Sequence, residues 1–105
     1  MAELLHLPDS PSDALGRIGT ALAHPIRQTI LIRLTDGPAS PSELARLCHT
    51  TRPNLSNHLS CLRGCGLVEF ERHGRRLSYR LASEELGTAL HMLRDVVDET
   101  CELHR

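Results

Sequence analysis

Leu15, Ile18 and Leu22 recur at the spacing of one helix face, and Asp13 ahead of them is placed to cap that helix. His24-Pro25 turns the chain, with Pro25 suited to the first position of a second helix. That helix carries Ile26, Ile30, Leu31 and Leu34 on one side and stops at Asp36-Gly37-Pro38. Ser40-Pro41-Ser42-Glu43 is a capping box with proline at the first helical position, so it opens a short third helix bearing Leu44 and Leu47. After the turn His49-Thr50-Thr51, a fourth helix starts near Arg52-Pro53 and ends at Gly64 or Gly66, with Leu55, Leu59 and Leu62 as its buried stripe. The period then changes. Val68-Glu69-Phe70-Glu71 and Leu77-Ser78-Tyr79-Arg80-Leu81 alternate as strands do, with His73-Gly74 as the turn of a hairpin. A last helix over 83–103 shows Leu86, Leu90, Leu93, Val97 and Cys101 at spacings of four and three.

The order α-α-α-α-β-β-α, mainly helical with a β-hairpin, is that of a winged helix-turn-helix. The short third helix and longer fourth form the helix-turn-helix, and the hairpin is the wing. With 105 residues the chain holds one domain, expected over 13–105 after a flexible arm over 1–12. One Phe, one Tyr and no Trp leave the core to aliphatic residues. Burial in so small a domain is modest, so a dimer interface adding apolar contacts is expected. No segment reaches the length of a membrane span and the N-terminus lacks a leader pattern, so the expected location is the cytoplasm.

The net charge of −1 hides a polarity along the chain. Residues 52–80 carry six Arg against Glu69 and Glu71, whereas residues 82–105 carry six acids against Arg94 and Arg105. A basic middle beside an acidic tail suits one DNA-facing surface. On the fourth helix, the arc opposite the leucines holds Pro53, Ser56, Asn57 and Ser60, with Arg52 and Arg63 towards one edge. Short polar side chains approach base edges closely, and arginine supplies attraction to phosphate. Asn54 and His58 lie on the flank of that face, and the wing tip adds His73, Arg75 and Arg76, expected along the DNA backbone or the minor groove. An enzyme is excluded by the lack of a Gly-rich phosphate loop and of a carboxylate pair in a plausible cleft.

Four cysteines in a cytosolic setting read as thiols or metal ligands rather than disulfides. Cys61 and Cys65, four apart on the fourth helix, stack on one face and suit chelation of a soft ion. They fall between the leucine stripe and the polar face, in line with Asn54 and His58. Cys101, on the apolar stripe of the last helix, is the third candidate, while Cys48 reads as a core residue. Three thiolates favour Cd²⁺ or Pb²⁺, with Hg²⁺ and trivalent arsenic also soft enough; Zn²⁺ wants a fourth ligand. The competing reading keeps the fold and makes the cysteines a thiol redox switch.

The stretch Arg52-Pro53-Asn54-Leu55-Ser56-Asn57-His58-Leu59-Ser60-Cys61-Leu62-Arg63-Gly64-Cys65-Gly66-Leu67-Val68 resembles the recognition helix of the ArsR/SmtB metal-sensing repressors, in particular the cadmium- and lead-sensing CmtR type. Leu22 to Arg27 resembles the start of that family's second helix, and Gly74 to Leu81 its wing. The resemblance implies a homodimer joined through the first and last helices. It implies operator binding in the metal-free state and release on binding the metal inducer. Cys61 and Cys65 carry over directly as ligands. Cys101 matches less closely, since the third cysteine of such sensors falls later in register, past Arg105. Two other family metal sites are absent: Ala45 and Leu47 replace the third-helix Cys-x-Cys, and Ser83, Glu85, Val96 and Glu99 replace most of the last-helix set.

Overall fold

The computed structural model describes residues 11–103, with side chains from 13 to 99. Five helices and one hairpin follow in the order α1 (Pro11–Leu22), α2 (Pro25–Leu34), α3 (Pro41–Leu47), α4 (Arg52–Gly64), β1 (Val68–His73), β2 (Arg76–Leu81) and α5 (Glu84–Leu103). This is the winged helix-turn-helix that the hydrophobic pattern predicts. Residues 1–10 of the expected arm lie outside the described residues.

Each helix start has a chemical cause. The His24 ring accepts the Ile26 amide through Nδ1 at 3.1 Å, and Pro25 opens α2 without needing a donor. Ser40 accepts the Glu43 amide at 3.1 Å, the first half of the capping box, and its hydroxyl donates to the Glu43 carboxylate at 3.3 Å. Thr51 accepts the Asn54 amide at 3.3 Å ahead of Pro53, and Ser83 accepts the Leu86 amide at 3.2 Å. α1 begins at Pro11 rather than just after Asp13, which sits in its first turn.

Both helices of the helix-turn-helix end the same way. At α3, His49 takes a left-handed conformation (φ 52°), while its amide reaches Arg46 and that of Thr50 reaches Ala45. At α4, Gly66 (φ 79°) does the same, with amides of Gly66 and Leu67 returning to Arg63 and Leu62. The two caps set the turn before α4 and aim the chain from α4 into the wing.

Ile30, Leu31, Leu44, Leu55, Leu59 and Leu62 are fully enclosed and join α2, α3 and α4 into one core, with Leu34, Leu67, Val68 and Leu90 around them. Leu47 is 46% exposed and takes no part, contrary to the expected pairing with Leu44. A helix of two turns has one inward turn, and Pro41, Leu44 and Ala45 occupy it. Leu15, Leu93 and Val97 are likewise more than half exposed, so the stripes of α1 and α5 lie largely open in a single chain.

The wing is an antiparallel pair registered from Val68 opposite Leu81 to His73 opposite Arg76. Its turn is therefore Gly74-Arg75, one residue later than the His73-Gly74 expected from sequence. Only Gly74 has positive φ (62°), as a two-residue turn with glycine at its first central position requires. A bridge between Ala39 and Tyr79, with N–H···O distances of 3.0 and 2.8 Å, ties the hairpin to the segment entering α3.

Candidate DNA-reading face and thiol site

On α4, Ser56, Asn57 and Ser60 are exposed opposite the enclosed Leu55, Leu59 and Leu62, as are Arg52, Pro53 and Asn54 at its start. Arg52 donates to the Ser42 hydroxyl at 2.9 Å, which joins α3 to the first turn of α4. Asn54 donates to the Thr50 hydroxyl at 2.8 Å. Two residues grouped with this face by sequence are engaged elsewhere. The guanidinium of Arg63 lies 4.2 Å from the centre of the Phe70 ring, against the wing. His58 is half-buried, its ring tilted at 45° against that of His24 with centroids 4.3 Å apart.

The charges of the wing divide into two groups. Arg80 binds Glu69 at 3.2 Å and Glu71 at 2.7 Å, so the acids of the wing neutralise it. Glu71 also meets His73 at 3.1 Å, and that hydrogen bond, followed by the pull of Arg80, holds its carboxyl below the ordinary range. Arg75 and Arg76 at the tip are exposed, facing a cleft of roughly 750 Å³ lined also by Ser40, Ser42 and Arg52. The positive charge available to a phosphate backbone is thus concentrated at the tip.

Cys61 and Cys65 come together on the flank of α4 that faces α2, both half-buried and close enough for each to act on the other electrostatically. Burial, and next the neighbouring Cys61, push the Cys65 thiol upwards, whereas Arg17 and Arg27 pull the other way. Arg27 of α2 donates through Nη1 to the Cys61 sulfur at 2.9 Å, an approach across 34 residues that no local spacing reveals. His58 completes the same flank, its ring pushed towards the neutral form by burial and by the charges of His24 and Arg27. Cys48 packs under α2 with its thiol 4.0 Å from the Ile26 carbonyl, and burial raises it. The side chain of Cys101 lies outside the described residues. Among the described residues no three His, Cys, Asp or Glu side chains converge, so no third donor stands beside the two thiols there.

The model of the bacterial regulatory protein arsR family matches residues 24–69, which run from the His24 cap to the first wing strand. CmtR, an HTH-type transcriptional regulator of Mycobacterium tuberculosis, is 48% identical over 97 residues, covering 88% of this chain and 82% of its own length. The chain belongs to the ArsR family. The solved structure of the cadmium metal-sensor CmtR from Mycobacterium tuberculosis superposes on this ArsR-family regulator with a TM-score of 0.66 at 51% identity, covering 78% of this chain and 85% of that one. A homodimeric winged helix-turn-helix DNA-binding domain from Mycobacterium bovis gives a TM-score of 0.82 at 33% identity, covering 99% of this chain and 90% of that one. These relatives are regulators of transcription, and the winged helix-turn-helix is the element this ArsR-family chain shares with them.

Proposed function

We propose that the chain is a cytoplasmic repressor that binds operator DNA as a homodimer and releases it when Cys61 and Cys65 take up a soft metal ion, Cd²⁺ or Pb²⁺. The observation that carries this reading is the pair of neighbouring, half-buried thiols on the flank of α4. The donor chemistry fits: two soft sulfurs and no oxygen donor among them select a soft cation. Such an ion would supply the positive charge that lets both thiols ionise side by side. Cys101 is our candidate for the third donor, reaching the pair from the last helix of the partner subunit. Similarity to the CmtR cadmium sensor supports the choice of metal.

The residues divide the work. Ser56, Asn57 and Ser60 face the bases, with Arg52, Pro53 and Asn54 at the entry of the helix. Arg75 and Arg76 hold the backbone. Leu15 and Ile18 of α1 and Met92, Leu93 and Val97 of α5, all exposed in one chain, meet their counterparts in the dimer. Coupling of about 1–3 kcal/mol would weaken DNA binding 5–150-fold.

Absorption from thiolate to metal on adding Cd²⁺ tests the site. The wild type should show the band, Cys61→Ser and Cys65→Ser should lose both band and DNA release, and Cys101→Ser should weaken both. A Cys101→Ser protein with an unchanged band would remove the third donor. Loss of DNA binding with peroxide, and none with Cd²⁺, would replace metal sensing by thiol oxidation.

The wing has its own test. Arg75→Ala with Arg76→Ala should weaken DNA binding and flatten the dependence of log K on log salt by about 0.9 for each phosphate contact removed. An unchanged slope would take the wing tip off the DNA.

A further inference from the structure

Arg27 stands at the centre of the thiol flank. It leaves α2, donates to the Cys61 sulfur at 2.9 Å, and lies within electrostatic reach of Cys65 and His58. Residues 58, 61 and 65 follow one another at spacings of three and four, so a single guanidinium addresses the whole flank of α4. Its Nε is enclosed and has no hydrogen-bond partner among the described residues. A buried donor left unmet is costly, so the placement of this side chain depends on the bond to sulfur that it does make.

We propose that Arg27 is the positioning residue of the thiol site: it tethers the recognition helix to α2 in the metal-free protein, and the tether slackens when Cys61 binds a cation. This rests on the reading of Cys61 and Cys65 as metal ligands. The physical reason is that one sulfur serves two positive partners. The electron density that accepts the Arg27 N–H is the density a soft cation draws on, and two cations against one sulfur repel each other. Arg27 thus makes a contact that differs in strength between the metal-free and metal-bound states, which is what coupling between two sites requires. The contact joins α2, part of the core, to α4, the DNA-reading helix, so its loss is felt where DNA is bound.

The test compares wild type, Arg27→Ala, Arg27→Gln and Arg27→Lys on a DNA duplex selected from a random pool with the metal-free wild-type protein. The quantity read is the ratio of DNA dissociation constants with and without Cd²⁺, alongside the thiolate-to-metal band. Arg27→Ala and Arg27→Gln should keep the band and lower the ratio about fivefold or more, with Arg27→Lys between them and wild type because it retains a cation. In the metal-free proteins, amides at the end of α4 (residues 61–64) should exchange faster in Arg27→Ala and Arg27→Gln than in wild type. Ratios and exchange matching wild type in all variants would overturn the proposal. So would a ratio restored by Gln as fully as by Lys, since stem packing alone would then explain Arg27. If Arg27→Ala fails to fold, the Gln and Lys variants decide. A wild type without band or release sinks the metal reading itself, and the inference with it.

Discussion

Leu59→Ala should destabilise the protein by about 2–5 kcal/mol, a large share of the roughly 5–15 kcal/mol that holds a domain of this kind together. Leu59 lies in the middle of α4, 2% exposed, between the enclosed Leu55 and Leu62. Its removal leaves a cavity beneath the face that presents Ser56, Asn57 and Ser60. Relaxation into that cavity would tilt the DNA-reading helix as well as weaken the core. Thermal or urea unfolding at equal protomer concentration measures the loss, the concentration being fixed because dimer dissociation shifts the midpoint. A loss well under about 1 kcal/mol would mean that the α2–α4 packing is not the main support of the fold.

Charges on α5 should have the second large effect, on assembly rather than folding. Leu93 is 54% and Val97 58% exposed in a single chain, and both lie on one stripe of the helix. Leu93→Glu with Val97→Glu places two carboxylates where we propose an apolar seam with the partner. The expected product is a monomer that keeps its helical content. Losing the second half-site removes an avidity gain of about 10²–10⁴, so operator binding should nearly vanish. Sedimentation equilibrium and a gel shift read the two consequences separately. A variant that remains dimeric would place the interface elsewhere.

The legible parts of this molecule are those governed by local chemistry. Ser40 to Glu43, Pro25 and the leucines of α4 each act within a turn or two of the chain, and periodicity and capping rules capture them. The hairpin turn was misplaced by one residue because His73-Gly74 and Gly74-Arg75 are both plausible turns by composition; the positive φ of Gly74 and the pairing of His73 with Arg76 decide between them. Leu47 shows the limit of periodicity: a two-turn helix has too few positions for the pattern to say where its inward face ends. In the thiol site, the stacking of Cys61 and Cys65 follows from helical geometry. The approach of Arg27 and the pairing of His58 with His24 are long-range contacts, and the packing of Arg63 on Phe70 depends on the chain reversal at Gly66; none has a spacing signature. They give His58 and Arg63, which the helical wheel groups with the DNA-facing surface, partners within the chain.

The cap at Cys65-Gly66 has a mechanical consequence. Cys65 caps the end of α4, Gly66 reverses the chain, and β1 begins at Val68. The hairpin then runs from this joint to Gly74 as a lever arm of about 20 Å at roughly 3.3 Å per residue. The Ala39–Tyr79 bridge acts as its fulcrum partway along. A small rotation at Cys65 is therefore magnified at the tip, where Arg75 and Arg76 stand. The thiol pair sits on the short side of this lever and the exposed arginines of the tip on the long side.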